Sequence, residues 1–111
     1  MDIQFYYTRF GNSPVEKLIL AMPSVVREDV FLTLDRLARG ENLTMPLSRP
    51  LFDIALGLHE LRFRHEPNIY RVFYYIKRGD AIYIVHAIQK KTQQIALKDR
   101  RLILKRLKEI L

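Results

Sequence analysis

Hydrophobic and polar positions along this chain switch between a period of two and a period of about 3.6, and the switches mark its elements. Residues 3–9, Ile-Gln-Phe-Tyr-Tyr-Thr-Arg, alternate, with Ile3, Phe5 and Tyr7 on one side, and predict a first strand. Gly11-Asn12 reads as a turn. From there the period lengthens, with Val15, Leu18, Ile19 and Met22 at helical spacing. Ser13 stands where an N-cap belongs, Pro14 at the first helical position and Glu16 at the third. Pro23 ends this helix, and Ser24 is placed to cap a second one over residues 25–39. Val26, Val30, Leu34 and Leu37 form the buried stripe of the second helix, and Gly40 suits its C′ position. The two together predict an αα-hairpin.

Residues 41–56 contain Pro46 and Pro50 and read as a long loop. Leu43, Met45, Leu47, Leu51 and Ile54 are too many apolar groups for a free linker, so the loop is expected to be pinned to the core, and a functional role is open to it because long ordered loops in compact domains are often functional. Three β-rich runs follow. In residues 58–64, Leu61 and Phe63 share one face, and Glu60, Arg62 and Arg64 the other. In residues 69–77, Tyr70, Val72, Tyr74 and Ile76 oppose Arg71, Phe73 and Tyr75. Residues 81–88 are almost wholly apolar, the pattern of a central strand buried on both faces. The link 65–68 and the turn Arg78-Gly79-Asp80 join these runs. Residues 94–111 return to helical spacing, with Leu97, Ile103, Leu104, Leu107, Ile110 and Leu111 as the apolar face.

These elements predict a single α+β domain over residues 1–111. Its small antiparallel sheet has three to four strands, packed by the N-terminal αα-hairpin and the C-terminal helix. If the hairpin covers the Leu61/Phe63 and Tyr70/Val72 face, Arg62, Arg64 and Arg71 gather on the uncovered face, and Lys90-Lys91 leaves its edge.

Charge sharpens this picture. The net charge is +7, from 19 Lys+Arg against 12 Asp+Glu, which favours an anionic partner such as nucleic acid. Cysteine is absent, so there is no disulfide framework, thiolate metal site or cysteine nucleophile. The first residues lack the basic start and apolar run of a signal peptide, and no apolar stretch approaches the length of a membrane span, so a cytoplasmic protein is expected. His59, His65 and His86 form no metal-binding spacing, and the four glycines are isolated rather than grouped in a phosphate loop. No metal or cofactor is expected.

What remains is a cluster of cations with aromatics and histidines. RNA cleavage can use such a set, because the 2′-hydroxyl is an internal nucleophile that needs alignment, charge neutralisation and a group to move protons. Arg62, Arg64, Arg71, Lys90 and Lys91 suit the phosphate clamp. His86, His65, Glu60, a tyrosine or a lysine could move protons. Phe73 and Tyr75 could stack bases. Each has a plainer alternative: solvated arginines on a sheet face, Glu60 paired with Arg71 across strands, His86 in the core, and aromatics that are simply good strand formers.

Three ordered motifs give a resemblance. Glu60-Leu61-Arg62, Tyr70-Arg71-Val72-Phe73-Tyr74 and Lys90-Lys91-Thr92, within residues 57–92, resemble the core of the RelE/ParE superfamily of toxins, and most of all its RelE/HigB-like, phage-derived branch. The resemblance implies a bacterial type II toxin, neutralised by a cognate antitoxin, here expected to be of helix-turn-helix type. In the RelE and HigB branches the toxin cleaves mRNA in the ribosomal A site without metal, as an endoribonuclease that inhibits translation. By that likeness Arg62, Arg64 and Lys91 match basic active-site positions, Arg71 matches a residue contacting the scissile phosphate, and His86 matches a frequent histidine. The chain departs from RelE in having no tyrosine after the last basic pair, where Thr92 to Lys98 follow. The ParE branch shares the fold but poisons DNA gyrase. Gyrase inhibition and non-catalytic RNA binding are therefore the alternatives.

Overall fold

The computed structural model describes residues 1–77, 81–90 and 94–110, without the side chain of Lys90. The expected turn at residues 78–80 and the end of the Lys90-Lys91-Thr92 motif lie outside the described residues.

Alternation in the first residues produces β1 (Asp2–Phe5), shorter than its aromatic run suggests. Helix α1 (Pro14–Leu20) begins as its sequence predicts: the Glu16 amide donates to Ser13 Oγ at 3.3 Å, and the Ser13 hydroxyl donates to the Tyr6 carbonyl at 2.7 Å. Helix α2 (Ser24–Ala38) takes Pro23, not Ser24, as its cap residue, because Pro23 already holds the extended ψ of 145° and Ser24 enters the helix. Gly40 ends it with φ +86°, the left-handed conformation a glycine takes without a Cβ penalty.

The sheet corrects the expectation of three to four antiparallel strands. It has five, β2 (Ser48–Pro50), β3 (Leu58–His65), β4 (Asn68–Ile76) and β5 (Ala81–Lys90) joining β1 in the order β1-β5-β4-β3-β2. It is mixed, since β1 runs parallel to β5, with Ile3 opposite Ile82 and Phe5 opposite Ile84. The extra strand, β2, came from the region read as loop. Its three residues are too short for alternation to register, and Pro50 fits an edge strand because an edge can spare an amide donor.

Helices α1 and α2 cover one face. Val15, Ile19, Val26 and Val30 pack there on Leu61, Tyr70, Val72, Ile82 and Ile84. Helix α3 (Leu97–Ile110) lies on the other face, where Ile103 and Leu107 meet Leu58, Phe73, Val85 and Ile88. The apolar face expected of α3 is narrower than the sequence suggests: Leu97 is 61% exposed and Leu104 40%. Asp99 and Arg106 take buried positions in their place.

A register shift in the β4–β5 pair shapes this second face. Phe73 opposes His86 while Tyr74 opposes Ile84, so Val85 is the extra residue of a bulge. Strict alternation would put Val85 and His86 on opposite faces. With the bulge, Val85 packs under α3 and His86 reaches an α3 side chain.

Gly57 precedes β3 with φ +89°, and a Cβ there would sit 3.0 Å from Tyr75 Cε1 and 3.3 Å from the Ile76 carbonyl oxygen. Gly40 has similar φ with nothing near. Gly40→Ala is expected to cost about 1–2 kcal/mol, the left-handed penalty alone. Gly57→Ala is expected to cost more, because contact is added to the same penalty. Urea unfolding of the two variants checks the order.

A candidate RNA-binding site on the second sheet face

Alternation fixes which side chains of β3 and β4 share the second face, and strand register fixes their neighbours. Arg49, Glu60, Phe73 and His86 fall in one row across β2, β3, β4 and β5. Arg62, Arg71 and Ile88 form the next row, and Arg64, Ile69 and Lys90 the one after. The face is only partly open. Helix α3 covers its β5 side, and the β2–β3 side is left with the charged groups.

Glu60 is the centre of that charged part. Its carboxylate is fully buried, and three guanidinium groups approach it: Arg49 at 3.5 Å, Arg71 at 3.5 Å and Arg62 at 3.6 Å. Arg49 comes from the position directly opposite on β2, Arg71 from the diagonal position on β4, and Arg62 from two residues along β3. Arg71 is as buried as Glu60, while the Arg62 and Arg49 side chains are 22% and 39% exposed. Burial pushes the Arg71 pKa down from the ordinary arginine value, Glu60 opposes that shift, and Arg62 and Arg49 add to it. The group remains a cation, since arginine starts so far above neutrality.

Two grooves flank this ridge of charge. Arg62 and Arg64 line one of about 410 Å³ together with Pro46, Leu47 and Ile69. Arg49 and Arg100 line the other, of about 540 Å³, with Leu51, Asp53, Gln94 and Ile95. Arg64 is well exposed beside Glu66, at 3.9 Å, and Arg100 reaches Asp53 at 3.4 Å.

The residues singled out in the sequence therefore separate. Arg62 and Arg64 do stand together on an accessible surface. Arg71 shares their face but lies inside it, drawn in by Glu60, so the expectation of an open position for it is corrected. Phe73 is fully buried beneath α3, and an aromatic there is core rather than a surface for bases. Tyr75 is half-buried and packs against the same core. The Lys90 backbone ends β5 opposite Ile69, in the row of Arg64. Lys91 lies outside the described residues.

His86 is 5% exposed and serves a junction. Its Nε2 is 2.9 Å from Asp99 Oδ1, and its Nδ1 is 3.4 Å from Arg106 Nη1. Arginine only donates, so Nδ1 accepts in this arrangement and Nε2–H donates to Asp99. Arg106 also donates to the Val85 carbonyl at 2.7 Å and lies over the Tyr6 ring, 4.8 Å from its centroid. The Tyr6 hydroxyl donates in turn to Glu109, which holds the phenol pKa above its usual value. Polar contacts thus tie β5, and Tyr6 just after β1, to α3.

Sequence reasoning missed Arg49, Asp99 and Arg106. Arg49 had one signal, a cation in a loop too apolar to be free. The other two look like ordinary members of a charged helix until the bulge at Val85 brings His86 to them. Among the described residues, no three His, Asp or Glu side chains converge as a metal site would require, and no helix is long and apolar enough to cross a membrane.

Residues 17–108 match the family model of the phage-derived protein Gp49-like (DUF891). The chain belongs to this family. Gp49-like proteins are a RelE/HigB-type toxin family of toxin–antitoxin systems, so membership is consistent with a toxin-like function and suggests an antitoxin partner. No curated protein matches the chain.

The junction in this Gp49-like chain has a measurable strength. Asp99→Ala removes one buried acceptor from His86, and the expected cost is about 1–3 kcal/mol by urea unfolding. A second test uses His59, which stacks on Tyr74 with ring centroids 5.0 Å apart. Burial lowers its pKa below the ordinary histidine value, and its hydrogen bond to the Gly57 carbonyl only partly opposes this. The unfolded chain therefore binds the proton more readily. The contribution of His59 is complete above the unfolded value of about 6.5 and is lost as pH falls through it. His59→Phe is expected to flatten stability against pH between about 7 and 5, read from urea midpoints.

Proposed function

We propose that this protein is the toxin of a type II toxin–antitoxin pair and acts as a metal-independent, ribosome-dependent mRNA endonuclease. The observation that carries this reading is the gathering of Arg49, Arg62 and Arg71 around Glu60, with Arg64 alongside, on a sheet face bordered by two grooves. Family membership supports it.

In the proposed reaction the 2′-oxygen attacks the adjacent phosphorus while the bond from phosphorus to the 5′-oxygen breaks. The proton leaves the 2′-hydroxyl, and a proton ends on the 5′-oxygen. The products are a 2′,3′-cyclic phosphate and a 5′-hydroxyl. Arg62 and Arg64 are placed to hold the phosphate oxygens and to offset the charge that builds on them. Holding the backbone also sets the in-line angle of attack. Arg71 adds its charge from inside the face, and Lys90 and Lys91 are assigned to phosphate binding by their place in the sequence motif. His86 holds β5 to α3, and Tyr75 and Phe73 support the face from within. The antitoxin would silence the protein by covering this face or by holding it away from the ribosome.

Induced expression followed by mapping of mRNA 5′ ends tests the proposal. Growth arrest with new 5′-hydroxyl ends inside translated messages is expected. Arg62→Ala with Arg64→Ala should abolish both while the protein stays folded. DNA damage with intact messages would instead point to gyrase, and ribosome or RNA binding without new ends to a non-catalytic module. Loss of both arginines should also lower the salt slope of binding to single-stranded RNA by about 1.4, at about 0.7 per phosphate contact.

A further inference from the structure

One buried carboxylate facing three guanidinium groups is an unequal arrangement, and the inequality has a direction. Arg71 is sealed inside with Glu60, whereas Arg62 and Arg49 keep part of each side chain in contact with solvent. Their exposed ends border different grooves, Arg62 the one with Pro46, Leu47 and Ile69, Arg49 the one with Leu51 and Ile95. The Arg62 groove sets two cations beside apolar wall, which suits the alternation of phosphate and base along a single-stranded RNA, while the Arg49 groove is more polar, with Arg100 paired to Asp53 beside Leu51 and Ile95.

The contacts at Glu60 are ion pairs of 3.5–3.6 Å, longer than a charge-assisted hydrogen bond of about 2.7–2.9 Å. Both Glu60 oxygens lack a hydrogen bond among the described residues, as do Arg49 Nε and Arg62 Nε and Nη2. Charge, rather than directed hydrogen bonding, therefore holds Arg49 and Arg62 near Glu60. Those donors are themselves buried, so it is the solvent-exposed part of each arginine side chain that faces an incoming phosphate.

We propose that Glu60 is the positioning residue of the RNA site: Arg49 joins Arg62 and Arg64 in binding the phosphates of one extended RNA strand crossing the β2–β3 ridge, and the buried Glu60 carboxylate, which leaves their charges in place, fixes where Arg49 and Arg62 hold that strand for cleavage. Glu60 itself does not touch the RNA. The RNA-binding part stands alone, and the cleavage part rests on the endonuclease reading above.

The two parts separate in experiment. Arg49→Gln is expected to weaken binding of an uncleavable 2′-deoxy-substituted RNA oligonucleotide and to lower its salt slope by about 0.7, one phosphate contact. Glu60→Gln removes a negative charge near the strand, so it should bind that oligonucleotide at least as tightly as the parent. Cleavage of translated mRNA by Glu60→Gln should fall about 10²-fold, the loss expected when a reacting group shifts by about 1 Å. Glu60→Asp, which keeps the charge, should recover part of that loss. In the NMR spectrum, the Nε–Hε signals of Arg49 and Arg62 should move towards those of free arginine in Glu60→Gln. Should Glu60→Gln fail to fold, Glu60→Asp, which keeps the buried charge but draws the carboxylate back from Arg49 and Arg62, serves in its place, with binding retained and cleavage reduced.

Binding by Arg49→Gln equal to the parent's would overturn the role of Arg49. A folded Glu60 variant with unmoved Arg49 and Arg62 signals, or with equal losses in binding and cleavage, would overturn the role of Glu60. A parent protein that binds the oligonucleotide yet leaves translated mRNA intact would overturn the endonuclease reading, while the binding and NMR results still decide the arrangement at Glu60.

Discussion

A carboxylate sealed from water has to be matched by cations, and Glu60 imposes that condition on the side of the second sheet face that α3 leaves uncovered. Removing one partner of such a buried pair characteristically costs about 3–5 kcal/mol, far more than a surface ion pair contributes. The demand is met from three directions at once. It draws Arg71 inside the face, brings the edge strand β2 up to β3 through Arg49, and curls Arg62 back along its own strand. A basic surface in a chain of net charge +7 would otherwise be a set of independent, solvated side chains. Here part of it is fixed by a buried countercharge. That is what separates an organised cation cluster from a merely cationic patch.

The other half of the same face is governed by packing. The bulge at Val85 turns both Val85 and His86 towards α3, and α3 answers with Ile103 and Leu107 for the first and Asp99 for the second. Phe73, in the same row as Glu60, lies between the two regimes, stacked on His86 with centroids 6.0 Å apart. Helix α3 thereby closes the face over β5 and leaves it accessible over β2 and β3. The placement of one helix decides which cations can meet a ligand.

Much of this was readable in the chain. The Ser13-Pro14-x-Glu16 start, the α2 stripe and the alternations of β3 and β4 all follow from local rules, and the Gly40 stop appears as expected. The pairing of Glu60 with Arg71 was also legible, because diagonal neighbours on adjacent strands follow from register once the hairpin is recognised. Arg62 and Arg64 could be placed on one face by counting. The openness of that face could not, since alternation assigns sides and says nothing of what will cover them. Arg71, Phe73 and His86 were misjudged or left open for this reason.

The sequence by itself determined the elements, their order and the two faces of each strand, because these depend on neighbours within a few residues. It also determined the three motifs that tie the chain to a toxin family. Only the tertiary structure decided that β1 runs parallel beside β5, that a three-residue segment of the 41–56 region becomes an edge strand, and that Arg49 belongs with Glu60. Those outcomes depend on contacts between residues far apart in the chain, whose pairing no local period encodes. The division between a sealed Arg71 and an accessible Arg62 is of the same kind: both are arginines on strand faces, and the difference lies in what the fold stacks above them.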